Sequence, residues 1–355
     1  MTSNSILHPD LAHPYAPMSP DALADFVHVP IEEIYRWLDL GLPKNDVGLI
    51  DLFACSNWLC WGHLDRCPAL ARRWRTYLTF FAPYVAGMDR PRHIRWEQQR
   101  RIYLPTPNTS LSWWISRAQA TAHQQIEKNE LLNPPGVIVE EEKSWWRLTR
   151  ELPTADAAVL LTSEVRLTPR AALSSIHDDH ALLLLLMREV AGTFQYLYRH
   201  HPHAEYAAEL SIGKFSQPRW SGSCLDCAMA LASLLNDRQR PWRLIAGIVA
   251  QSTIANPHFW LETEIAGGEW VPLDPSLPAI VRMVGGDWHT AAAAWTGGLD
   301  ARRVTIGTVG QGITTIPGGS TVGSLIGEAV ADHKNAWACI DWVCGDCDAT
   351  FTEMT

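Results

Sequence analysis

The stretch from Trp220 to Pro275 constrains this chain most, because its periodicity changes inside a short span and each change is punctuated. Gly222 permits a tight turn, and Ser221 or Ser223 can cap the helix that follows. Ala228, Leu231, Leu234 and Leu235 then recur at helical spacing on an Ala-rich segment, which predicts a helix with one buried stripe. Trp242 to Ala250 is rich in aliphatic and β-branched residues and reads as a buried strand. His258 to Ile265 alternates like a second strand opened by His258, Gly267-Gly268 supplies a hairpin turn, and Glu269 to Pro275 returns beside it.

That order brings three chemical groups toward one point. Cys224 falls in the first turn of the predicted helix, where unpaired backbone N–H groups and the helix dipole favour a thiolate. His258 and Asp274 fall on adjacent antiparallel strands, as an imidazole and the carboxylate that orients it. Thiol nucleophilic catalysis requires these three groups: a nucleophile, a base, and a group that fixes the base.

The residues resemble the transglutaminase-like superfamily, a branch of the papain-like cysteine enzymes. Gly222-Ser-Cys224-Leu-Asp-Cys-Ala228 is similar to its nucleophile motif, His258-Phe-Trp260-Leu-Glu262 to its histidine motif, and Trp270-Val-Pro-Leu-Asp274-Pro275 to its aspartate motif. The likeness covers roughly residues 185–280 and departs from the family at Leu225 and Cys227. The resemblance implies that Cys224 is the nucleophile, His258 the general base and Asp274 its orienter. Trp260 and Glu262 would then be packing and hydrogen-bonding residues of the strand. The Cys224 backbone N–H and the Trp220 indole are candidate oxyanion donors, and Trp220 and Trp260 are candidate substrate neighbours. The implied reaction is acyl transfer at a peptide or amide carbonyl. Hydrolysis comes first, and deamidation or amine transfer to a glutamine side chain would use the same triad.

Upstream, Ser19 and Pro20 mark a helix start, and Ile31 to Leu40 gives a second short helix before Gly41 stops it. Two short helices three residues apart are helix-turn-helix geometry. Residues 19–62 resemble the small winged-helix domains of phage excisionases and terminase small subunits, with Gly48 to Ala54 as wing. The second helix carries Glu32, Glu33 and Asp39 against a single Arg36, an unfavourable face for a phosphate backbone. Residues 65–101 then hold nine Arg against Asp65, Asp89 and Glu97, in a chain whose net charge is −9. Arg36, Arg72, Arg73, Arg75, Arg92 and Arg95 are therefore candidate contacts for DNA or an acidic protein, with a solvated Arg-rich face as the plainer reading. A non-enzymatic DNA-binding or scaffold protein with a lapsed transglutaminase-like fold is the competing class.

Ser110 to Lys128 reads as helical, and Asn133-Pro-Pro-Gly136 breaks it. His180 to Arg199 reads as one long helix buried around Leu182 to Met187. His177-Asp-Asp-His180 and His200-His-Pro-His203 lack the further ligands a metal site needs, so loop or capping roles are expected. Cys224/Cys227 and Cys344/Cys347 each form Cys-x-x-Cys, but neither context is that of a redox or zinc site, and no metal or cofactor is expected. The longest apolar run, Ala181 to Met187, is far short of the ~20 residues of a membrane span, and a cytoplasmic protein is expected.

The expected fold class is α+β: a nucleophile helix packed on an antiparallel sheet, with an N-terminal helical domain of winged helix-turn-helix type. The layout is a flexible N-terminus over 1–17, that helical domain over 18–85, and an Arg- and Trp-rich connecting region over 86–165. The catalytic core follows over 166–300, and a Gly-rich β tail over 301–355 either flaps over the site or forms a small β-element.

Overall fold

The computed structural model describes residues 18–50, 55, 58–59, 66–67, 90–103, 109–132, 138–141, 145–152, 156–197, 220–251, 254–309, 327–331 and 345–354. Helix α1 (Pro20–Val27) and α2 (Ile31–Asp39) form the N-terminal unit. Ser19 caps α1 by accepting from the Ala22 N–H, with Pro20 in the first turn. His28 turns the chain in left-handed conformation, φ 56°, and Pro30 starts α2. Leu23, Ile34, Trp37, Leu42 and Ile50 close a small core, and Glu33 accepts the Trp37 indole N–H at 2.8 Å. Three residues, His28 to Pro30, separate the two helices. Of the proposed wing, Gly48 to Ile50 is described, and Ile50 bridges back to Met18.

The middle of the chain is β-structure: β1 (Arg92–Tyr103), β2 (Thr109–Ser116), β3 (Gln124–Leu132), β4 (Ile138–Glu141), β5 (Trp145–Leu152) and β6 (Asp156–Leu167). The stretch 110–128, expected as helix, is therefore parts of two strands and the turn between them. Ser110, Leu111, Ser112 and Trp113 alternate polar and apolar, and β2 pairs with β5. Gln125, Glu127 and Lys128 carry helix propensity, but β3 pairs along β6, and partner strands override local preference. The tail supplies the outer strands: β13 (Gly327–Ala331) pairs with β2 and β14 (Gly345–Met354) with β1, giving the antiparallel orders β13-β2-β5-β4 and β14-β1-β6-β3.

The second half carries α3 (His180–Thr193), β7 (Gln195–Tyr196), β8 (Ser221–Gly222), α4 (Cys224–Asp237), β9 (Trp242–Gln251) and β10 (Ile254–Glu264). It continues with β11 (Trp270–Leu273), α5 (Ser276–Met283), α6 (Trp288–Ala294) and β12 (Arg303–Val309). The antiparallel order β11-β10-β9-β12 puts β12, assigned from sequence to the tail, on the edge of the core sheet. Residues 310–326, the rest of the Gly-rich segment, lie outside the described residues. Helix α3 stops at Thr193, short of the expected Arg199, because Phe194 turns extended and Gln195–Tyr196 pairs with β8. Arg282 fastens that end by donating to the Gly192 and Phe194 carbonyls.

Leu186 and Val190 of α3, Ala228, Leu231 and Leu235 of α4, and Leu244, Phe259, Leu261 and Leu273 of the sheet form the main core. The Ala residues of α4 keep that helix close to the sheet face. On the opposite face, Gly247 makes room for Trp260: a Cβ there would stand 2.6 Å from the indole and 2.5 Å from the Val304 carbonyl. Gln124 of β3 ties β12 down through a two-way amide bond, donating to the Thr305 carbonyl and accepting the Thr305 N–H, each at 2.8 Å. Among the described residues no helix is long and apolar enough to cross a membrane.

Candidate active site

Cys224 opens α4, and the segment before it is held from two sides. The backbones of Gln195 and Leu197 donate to the carbonyls of Trp220 and Gly222 at 3.0 and 2.7 Å. Asp226, the third helical residue, accepts the Ser223 backbone N–H at 2.7 Å and its hydroxyl at 3.2 Å, forming a capping box. Gly222 sits at φ 141°, and a Cβ there would fall on the Asp226 carboxylate, so the cap that aims Cys224 depends on that glycine. Cys224 and Cys227 are both free thiols; Cys224 keeps 9% of its surface and Cys227 none. Burial pushes the Cys227 thiol well up, reinforced by the charge of Asp274.

Asp274 is one residue past the last paired position of β11, where Leu273 faces Leu261 of β10. His258 lies in the middle of β10, opposite Gly247, rather than at its start. The two side chains meet across that short interval: His258 Nε2 and Asp274 Oδ2 are 2.6 Å apart, both buried. Cys224 also acts on His258, raising its pKa alongside Asp274, and with Nε2 on the carboxylate the ring has Nδ1 for the sulfur. Burial alone would lower the His258 pKa. The Asp274 charge and hydrogen bond, followed by the contributions of Cys224, outweigh burial and raise it to about 9.

Asp274 accepts more than His258. Its Oδ1 takes the Ser276 hydroxyl at 2.5 Å and the Ser276 N–H at 3.1 Å. Its Oδ2 also faces the Arg303 guanidinium at 3.0 Å. Arg303 in turn pairs with Asp300 at 3.3 Å and lies over the Trp295 ring at 4.0 Å. Burial alone would raise the Asp274 carboxyl; the charges of His258 and Arg303 and the bonds from His258 and Ser276 hold it down to about 2.

The remaining predicted residues sort themselves by position. Trp260 is buried, stacked 6.1 Å from the His258 ring, and Glu262 pairs with Arg243 at 2.5 Å. Trp220 is 38% exposed just before β8. Arg36 pairs with Glu33, and Arg95 with Glu97 and Glu164, the arrangement of a solvated charged face. Arg92 begins β1, while Arg72, Arg73, Arg75, Cys344 and the 200–203 histidines lie outside the described residues. His177 accepts the Asp179 N–H, a capping role, and Asp179 pairs with Arg240.

Sequence reasoning missed Ser276, Asp300 and Arg303. Arg303 stands next to Arg302, and nothing in the pattern separates them. Only the assembled sheet separates them: Arg303, Val304, Thr305 and Ile306 are all buried, so a charge among them requires a partner.

A thiol at the start of a helix packed on an antiparallel sheet, with an imidazole held by a strand-end carboxylate, fits a papain-like fold. Residues 173–275 match the family model of the Transglutaminase-like superfamily. Among solved structures, the chain is similar to a "putative cysteine protease" from Cytophaga hutchinsonii at 13% identity and a TM-score of 0.47, covering 75% of this chain and 91% of that one. No curated protein matches the sequence.

Proposed function

We propose that the protein is a cysteine-dependent acyl-transfer enzyme that hydrolyses a peptide or amide bond through Cys224, His258 and Asp274. The observation that carries this reading is the buried 2.6 Å His258–Asp274 pair, whose imidazole is influenced by the Cys224 thiol at the start of α4. Cys224 Sγ attacks the carbonyl carbon, and His258 delivers its proton to the nitrogen of the leaving amine as the C–N bond breaks. The thioester is resolved by water, whose proton passes to His258 and then to the departing sulfur. The backbone N–H of Cys224, at the helix start, is the first candidate to face the developing oxyanion.

The fate of the thioester separates the three reactions this triad can run. Incubation with casein and a fluorescent primary amine tests them together: hydrolysis yields new peptide amines, deamidation yields ammonia, and transfer labels the casein. New peptide amines above a Cys224→Ala blank are expected. No product of any kind above that blank would rule the reading out.

The pH profile follows from the raised His258 pKa. The imidazole must be protonated to serve the leaving amine, so turnover is expected to fall on the alkaline side as pH passes through about 9. A fall centred near 6.5, the ordinary histidine value, would show that Asp274 does not support His258.

A further inference from the structure

The segment that matches the family model ends at residue 275, yet the charge behind Asp274 comes from beyond it. Arg303 is 1% exposed, and its guanidinium lies between two carboxylates and near two indoles, Trp295 at 4.0 Å and Trp260 at 5.8 Å. A buried ion pair of this kind is seldom the cheapest way to fill a core, since well-packed apolar residues of similar volume often do as well. Its placement is specific: Arg303 and His258 approach the same oxygen, Asp274 Oδ2, at 3.0 and 2.6 Å.

Resting on the reading of Cys224, His258 and Asp274 given above, we propose that Arg303 is a positioning residue of that site. It keeps Asp274 ionised and aimed at His258, and together with Asp300 it sets how firmly His258 holds its proton. Two arguments support this. Ser276 already occupies Oδ1, so Oδ2 is the oxygen through which charge can be shared with the imidazole. The strand carrying Arg303 is also fixed on both sides of it, by pairing with β9 and by the Gln124–Thr305 amide bond, so the guanidinium has a defined position.

The other charged groups around the pair are few among the described residues. Helix α4 contributes Cys224, which acts on His258, and Asp226 and Cys227, of which Cys227 feels the Asp274 charge. Helix α5 contributes Arg282, which acts on Cys227. Asp300 and Arg303 complete the set. Because Asp300 and Arg303 have opposite charge, removing each should move His258 in opposite directions, whereas damage to packing would have no such sign.

The test is the pH dependence of Cys224 alkylation by iodoacetate, an anionic reagent whose attack is helped by the His258 imidazolium and slows when that proton is lost. Arg303→Met removes a positive charge, so the alkaline limb should move up by about one pH unit. Asp300→Asn removes a negative charge while keeping the oxygen that accepts the Arg302 N–H, so its limb should move down. Arg303→Lys keeps the charge and should restore most of the limb position, though not the forked geometry. If Arg303→Met does not fold, the downward shift in Asp300→Asn decides the matter. Limbs that coincide with the wild type, or that move together in one direction, would overturn the role of Arg303. A wild-type protein with no alkaline limb would instead overturn the underlying reading of the three-residue site.

Discussion

Replacing Cys224 by Ala is expected to remove turnover almost completely, by roughly 10⁶-fold as for loss of a nucleophile in a hydrolase triad, with little change in stability. The stability half follows from position. The thiol sits at the start of α4 with 9% of its surface exposed, and the cap that sets the helix uses Ser223 and Asp226, not the sulfur. Ala is also the best helix former, so the backbone is unaffected. Cys227, one turn on, is fully buried in the main core with its thiol pushed up by burial. Cys227→Ala should therefore cost stability, on the order of 1 kcal/mol, and keep turnover. Steady-state rates beside urea melts of the two variants separate these effects. Equal loss of rate in both would remove the assignment of Cys224.

Asp274→Asn should have the next largest effect, and should impair both stability and rate. Asp274 accepts from three donors, the Ser276 hydroxyl and N–H on Oδ1 and His258 Nε2 on Oδ2, and its Oδ2 also pairs with the Arg303 guanidinium. An amide has one accepting oxygen, so either orientation sets an NH₂ group against donors. The substitution also leaves the buried Arg303 guanidinium with Asp300 alone. Breaking a buried pair in this way costs about 3–5 kcal/mol, and losing the orienter of a catalytic histidine costs about 10⁴-fold in rate. The wild type should show the corresponding acid sensitivity. The folded-state carboxyl titrates near 2, below its ordinary 3.8, so its contribution to stability is complete above 3.8 and fades as pH falls toward 2. Acid titration of the melting midpoint should show that component in the wild type and not in Asp274→Asn. A variant as stable as the wild type would mean that these three hydrogen bonds and the ion pair contribute nothing.

The parts of the fold that were legible in the sequence are those fixed locally. Gly222, Ser223 and Asp226 set the helix start at Cys224, the aliphatic run set β9, and Gly267-Gly268 set the hairpin that brings β10 to β11. These short-range signals were enough to bring Cys224, His258 and Asp274 to one place. The strands at 109–132 were illegible because their identity depends on β5 and β6, distant partners that local propensity does not report. Helix α3 read too long for a related reason: Gln195–Tyr196 leaves the helix to pair with Ser221–Gly222. Arg303 was illegible because only the assembled sheet distinguishes it from Arg302, turning it onto Asp274 and between the two indoles.

The measurement closest to the central claim is a brief exposure of the folded wild-type protein to iodoacetamide at pH 7, followed by peptide mapping of the alkylated cysteines. The account predicts rapid modification of Cys224 ahead of Cys227, and loss of that rapid phase in Asp274→Asn. Slow modification of both thiols that rises only toward pH ~8.5, the range of an ordinary cysteine, would contradict it.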